Sequence, residues 1–144
     1  MKAISLWQPW ASAIALGHKK IETRSWSIRY RGPILIHAAK TFPRVAQDFA
    51  SVERALGRMP ERVPLGAIVA VARLIIVRPT EELALEISAI EKLYGDYSDG
   101  RFGWVLDNVR AFKEPIGYRG SQGLFDVPDS VVAQAVSEAE ATHA

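Results

Sequence analysis

The hydrophobic positions of this chain change period several times, and each change predicts an element. Residues 1–6 alternate in part, as a first strand does. Pro9 then stands where a helix tolerates proline, because the missing N–H needs no partner in the first turn, and a short helix follows over residues 9–16. Gly17 supplies the positive φ of its C-terminus. Lys20-Ile21-Glu22-Thr23-Arg24 alternates again, and Gly32-Pro33 introduces an unbroken apolar run at 34–38, the pattern of a buried strand. Phe42, Val45, Phe49, Val52 and Leu56 recur at helical spacing behind Thr41, a capping residue, and ahead of Gly57, which makes this the clearest amphipathic helix. Residues 67–77 read as a long central strand stopped at Pro79, residues 81–93 as a second helix ended by Gly95, and residues 102–112 and 123–127 as the last strands. From Asp129 a Val/Ala-rich tail, residues 129–144, predicts a terminal helix with propensity but little core, prone to fray.

Five or six strands broken by helices, without regular βα alternation, predict an α+β mixed barrel with helices packed outside it. A length of 144 residues supports one hydrophobic core, so residues 1–144 are read as a single domain. With 49% hydrophobic and 24% charged residues, a disordered or fibrous chain is excluded. There is no cysteine, hence no disulfide, thiolate zinc site or cysteine nucleophile, which agrees with a reducing cytoplasm. Lys2 and the apolar run ending at Ala11-Ser12-Ala13 imitate an export signal, but Gln8-Pro9 interrupts the run. No segment approaches the roughly 18 apolar residues of a membrane span. A cytoplasmic protein without membrane contact is expected.

The net charge of +2 conceals an asymmetry. Residues 1–62 hold 11 Lys/Arg against 4 Asp/Glu (+7), and residues 63–144 hold 7 against 12 (−5). Seven of the cations fall between His18 and Arg44 beside one acid, Glu22. A basic half of this kind suits an anionic partner such as nucleic acid, or is simply a solvated face.

In the strand that begins at Lys20, period 2 places Glu22 and Arg24 on the face opposite Ile21 and Thr23, within reach of a common ligand. An isolated pair of this type is ordinarily a surface ion pair worth about 0–1 kcal/mol. Here Trp7, Gln8, Trp10, Lys19, Trp26, Tyr30, His37 and Lys40 crowd into the same stretch. Tryptophans beside cations suit a site that stacks a base and neutralises phosphate, and each one also serves as core filler. The three histidines, His18, His37 and His143, lack metal-ligand spacing, and no phosphate-binding or dinucleotide fingerprint occurs, so neither metal nor cofactor is expected.

Gly17-His18-Lys19-Lys20-Ile21-Glu22-Thr23-Arg24 fits G-x-K-x-x-E-x-R at all four fixed positions and resembles the signature of the ASCH domain, a relative of the PUA RNA-binding fold. The segment Ser5-Leu6-Trp7-Gln8-Pro9-Trp10-Ala11, the Arg31-Gly32-Pro33 and Ile36-His37-Ala38-Ala39-Lys40 blocks, and Gln122-Gly123-Leu124-Phe125 resemble the bacterial branch of that family. The resemblance implies a PUA-like barrel whose cleft is lined by Lys19, Glu22 and Arg24, and an RNA or modified-nucleotide ligand. Lys19 and Arg24 would contact phosphate or carbonyl oxygens, Glu22 and Gln8 a base edge, and Trp7, Trp26 or Trp104 would stack or form walls. His37, Lys40 and Gln122 complete the expected binding set. Some family members hydrolyse RNA or N4-acetylcytidine, so a hydrolase using Lys19 and Glu22 is the alternative. The amidohydrolases, however, carry a threonine nucleophile where Glu22 stands here, and a carboxylate cannot replace it in acyl transfer.

Overall fold

The computed structural model describes residues 1–142. His143 lies outside them. Six strands and five helices follow in the order β1 (Lys2–Leu6), α1 (Trp10–Ala15), β2 (Ile21–Arg24), β3 (Gly32–Ala38), α2 (Arg44–Ala55), β4 (Ala67–Pro79), α3 (Thr80–Leu83), α4 (Ala89–Leu93), β5 (Phe102–Gly117), β6 (Phe125–Asp126) and α5 (Asp129–Thr142). They form one mixed sheet of order β2-β5-β4-β3-β1-β6, with β1 parallel to β3 and the other ladders antiparallel. This is the α+β architecture the hydrophobic pattern predicts, with helices packed around the sheet.

The unbroken apolar run of β3 has a direct cause: both faces of the strand are covered. Ile34 and Ile36 enter a core with Ile4, Leu6, Ile14 and Trp104, whereas Leu35 enters a second core with Ile68, Phe112 and Val132. Strands buried on both faces lose the polar alternation of half-exposed ones. The β4–β5 pairing shifts register at three places, between Ile68/Ala70, Val71/Arg73 and Leu74/Ile76. Such bulges bend and twist a long ladder.

The expected tail helix is present as α5 over Asp129–Thr142: Val132 and Ala139 are its buried residues, in the second core, and the Met1 ammonium donates to Val127 O at 2.6 Å and to Asp129 Oδ1 at 2.8 Å where the helix begins. Two other expectations are corrected. The helix expected over 81–93 is two short ones, because the Ser88 hydroxyl accepts from Glu91 N at 3.2 Å and caps a new start inside it. The apolar stripe of α2 does not form its buried face: Val45, Val52 and Leu56 are 67%, 58% and 57% exposed. Instead α2 buries Ala46, Ala50 and Glu53, with Pro43 and not Thr41 at its N-cap. On that side Phe49 stacks on Trp10 at 5.3 Å, and Glu53 is held by Arg58 and the Tyr94 hydroxyl.

Candidate functional site

Trp7 follows the end of β1 and is 48% exposed, just before the cis Gln8–Pro9 bond that leads into α1. Two cavities share Trp7 and Ser5 in their walls, one of about 560 Å³ and one of about 830 Å³. Both lie in the range of small-molecule sites.

The first cavity runs from Trp7 and Trp10 to Glu22 and Arg24 on β2, and to Asp96 and Arg101 in the connection before β5. Strand alternation puts Ile21 and Thr23 inward and leaves Glu22 and Arg24 facing the cavity, as the period predicts. The Glu22 carboxylate is clamped: Arg24 Nε donates to Oε2 at 2.9 Å, and Lys19 Nζ lies 3.4 Å from Oε1. Arg24 Nη2 also donates to Ser5 O at 2.7 Å, tying edge strand β2 to β1. The far wall is stapled to β2 through Thr23, whose Oγ1 accepts from Asp96 N at 3.0 Å and whose carbonyl accepts from Arg101 Nη2 at 3.2 Å. Ser98 donors, with Arg101 nearby, hold the Asp96 carboxyl below its ordinary range.

Behind this wall sits a polar layer that the sequence did not reveal. Glu91 Oε1 accepts from Lys20 N at 2.8 Å, while Glu91 Oε2 and Tyr97 Oη are buried without a partner. Burial pushes the Glu91 carboxyl up, against the opposing pull of the Lys20 N–H, and burial likewise raises the Tyr97 phenol. No periodic signal marks Glu91, Tyr94, Asp96, Tyr97 or Arg101, since they reach the motif from some 70 residues away through an irregular connection.

The second cavity is built on a cross-strand pair. Ser5 of β1 and His37 of β3 are register partners, and Ser5 Oγ lies 2.8 Å from His37 Nδ1. His37 Nε2 is 2.7 Å from Tyr118 O, an acceptor only, so Nε2 carries the proton. The β3–β4 register shifts between Ile36 and His37, beside this pair. Lys40, Arg119 and Gln122 line the same cavity.

Of the expected binding residues, the structure therefore gathers Trp7, Glu22 and Arg24 around one cavity and Trp7, His37, Lys40 and Gln122 around the other. Four others turn inward. Gln8 is 0% exposed and acts as a cap: Oε1 accepts from Ser12 N at 2.9 Å, and Nε2 donates to Ser12 Oγ and Pro64 O. Lys19 is 1% exposed, donates to Ile21 O at 2.6 Å and Tyr94 O at 2.8 Å, and faces Glu22 with its remaining donor. In this arrangement two carbonyls and the Glu22 carboxylate surround the Lys19 ammonium within the chain. Trp104 is core, and Trp26 packs on it edge to face at 4.8 Å because β2 ends at Arg24 before the strand parity can carry Trp26 to the cavity. Among the described residues, no group of three His, Cys, Asp or Glu side chains could hold a metal ion, and no helix is long and apolar enough to cross a membrane.

The ASCH domain family matches residues 4–116, a span that contains the lining of the first cavity and the complete G-x-K-x-x-E-x-R motif. The chain belongs to the ASCH domain family. The fold agrees: the ASCH protein of Zymomonas mobilis superposes with a TM-score of 0.59 at 18% identity, covering 94% of this chain and 93% of that one. Two single-substitution variants of the same protein give TM-scores of 0.58 and 0.57 at 18% and 20% identity, with 94% and 95% of this chain covered and 96% and 94% of theirs. Among curated proteins nothing matches. This ASCH domain thus has the PUA-like fold often linked to RNA binding, and its motif lysine is buried against Ile21 O and Tyr94 O.

Proposed function

We propose that this ASCH domain binds RNA, or a nucleotide derived from it, with a base held in the first cavity against Trp7. The observation that carries the reading is the half-exposed Trp7 indole beside a carboxylate fixed by two cations. A solvent-facing indole offers a stacking plane that any base can use. The Glu22 carboxylate, held in place by Arg24 and Lys19, keeps lone pairs directed to the cavity and accepts from an exocyclic amino group, as on cytosine or adenine. Arg24 and Arg101 line the same space and are already charge-balanced by Glu22 and Asp96, which suits a neutral base better than a phosphate.

Titration of the protein with a short single-stranded RNA, followed by tryptophan fluorescence, tests this. Stacking is worth about 1–3 kcal/mol per base, so Trp7→Ala should weaken binding by roughly 5- to 150-fold. Affinity should also fall between about 50 and 200 mM salt as counterions are released. Binding that is indifferent to salt and to Trp7→Ala overturns the reading.

A further inference from the structure

Charge is divided unequally between the two cavities. In the first, Arg24 is paired with Glu22 at 2.9 Å and Arg101 with Asp96 at 3.4 Å. In the second, no carboxylate lines the wall, and neither Lys40 nor Arg119 makes an ion pair or hydrogen bond with any described residue. Two unpaired cations therefore line one concavity. The surrounding groups are the polar donors an anion needs: the Thr41 and Ser121 hydroxyls and the Gln122 amide. Cations in a cleft walled by low-dielectric protein concentrate field and attract anions more strongly than on a convex surface.

We propose that the second cavity is a phosphate subsite, in which Lys40 and Arg119 hold the phosphate of the nucleotide whose base stacks on Trp7. The inference rests on the base-binding reading above and gives it a direction: base toward Glu22, phosphate toward Lys40 and Arg119. Trp7 and Ser5 belong to both walls, so a ligand spanning the two cavities passes over continuous surface. The loop that carries Arg119 is pressed onto the floor of the cavity. A Cβ on Gly120 would stand 2.7 Å from His37 Cε1 and 3.2 Å from Ser5 Oγ, so only glycine lets Arg119 and Ser121 approach this closely. The phosphate belongs either to a mononucleotide terminus or to a bridging position in RNA, and both present the same oxygens to the two cations.

The test measures binding of inorganic phosphate, cytidine, cytidine monophosphate and the dinucleotide cytidylyl-adenosine to the wild type and to Lys40→Ala/Arg119→Ala. Amide chemical shifts report occupancy of residues 118–122. At low salt the monophosphate should bind about 10-fold or more tightly than cytidine, a preference that the double variant loses while its affinity for cytidine is unchanged. Inorganic phosphate should shift amides of residues 118–122 in the wild type and not in the double variant. A dinucleotide that exceeds the mononucleotide assigns the cavity to bridging phosphate, and the reverse order assigns it to a terminal one. Equal affinity for cytidine and its monophosphate, or a preference that survives the double substitution, overturns the subsite while leaving base binding intact. Failure of cytidine to bind, with phosphate still shifting residues 118–122 in a Lys40- and Arg119-dependent way, overturns the base reading and keeps the anion site.

Discussion

Lys19 Nζ donates to the Tyr94 carbonyl at 2.8 Å, so the motif lysine joins the start of β2 to the end of α4 across 75 residues of chain. Its ammonium is buried between Ile21 O and Tyr94 O, which accept from it, and it faces Glu22, which Arg24 also holds. Removing a charged donor leaves the two buried carbonyls without it. Lys19→Ala should therefore cost about 3 kcal/mol or more in urea unfolding, whereas Lys40→Ala should stay within about 0.5 kcal/mol because its side chain is exposed and unpaired. If the two substitutions had equal effects on stability, the assignment of Lys19 as a strut would be wrong.

The four tryptophans separate by burial. Trp104 is 1% exposed, and its Nε1 donates to Trp26 O at 3.2 Å, so Trp104→Ala should cost about 3–5 kcal/mol through the cavity it leaves. Trp7→Ala removes a side chain that is half in solvent and should leave the unfolding midpoint nearly unchanged while reducing RNA affinity. Paired denaturation and binding measurements on the two variants check both halves of this contrast. Loss of binding by Trp7→Ala in step with a loss of stability would place Trp7 in the fold and not in the site.

Gly120 offers a test of the second cavity that leaves all charges in place. A methyl group there meets the His37 ring edge at 2.7 Å, and the ring is fixed on its other side by Phe125 at 5.9 Å and by its bond to Tyr118 O. Overpacking of this kind costs about 1–3 kcal/mol. Gly120→Ala should show that loss in thermal unfolding and should displace the amide resonances of residues 118–122, while leaving the shifts of Glu22 and Arg24 where they are. Wild-type stability in this variant would mean that the loop relaxes away from His37.

How far the sequence reveals the site follows from what local patterns can encode. Period 2 puts Glu22 and Arg24 on the cavity face, and the unbroken run at 34–38 identifies the doubly covered strand; both are one-strand properties. The same rule misplaces Trp26, because strand length is set by pairing with Phe102 on β5 and not by side-chain parity. Gln8 and Lys19 look like ligand contacts in sequence because they are polar and beside the motif. Their partners, Pro64 O and Tyr94 O, are supplied by distant loops that carry no pattern. The α2 stripe misleads for another reason: the helix buries Ala46, Ala50 and Glu53, and a hydropathy pattern scores large apolar side chains above small or charged ones. The split into two cavities, with paired cations in one and free cations in the other, is a tertiary property throughout.

Two buried carboxylates respond to pH with opposite sign. Glu53 is 1% exposed; Arg58 donates to both of its oxygens, at 3.0 and 2.9 Å, and Tyr94 Oη donates to Oε1. The Arg58 hydrogen bonds hold the Glu53 carboxyl below its ordinary 4.5, against its burial, and burial together with this carboxylate pushes the Tyr94 phenol up to about 12. A depressed carboxyl stabilises the fold fully above its unfolded value, and that contribution is lost as the pH falls through the folded value. Glu53→Gln should thus cost about 3 kcal/mol at pH 7, and the deficit relative to wild type should shrink as the pH drops below about 4. Glu91 is raised above 4.5 by burial, and its Oε2 has no partner. Its contribution is full below the unfolded value and is lost as the pH rises through the folded one, so the ionised carboxylate is a liability at neutral pH. Glu91→Gln keeps the oxygen that accepts from Lys20 N, and it should be neutral to stabilising at pH 7 with no advantage at pH 4. Urea unfolding of both variants at pH 4, 5.5 and 7 decides the matter, and parallel pH profiles for the two would refute the opposite signs.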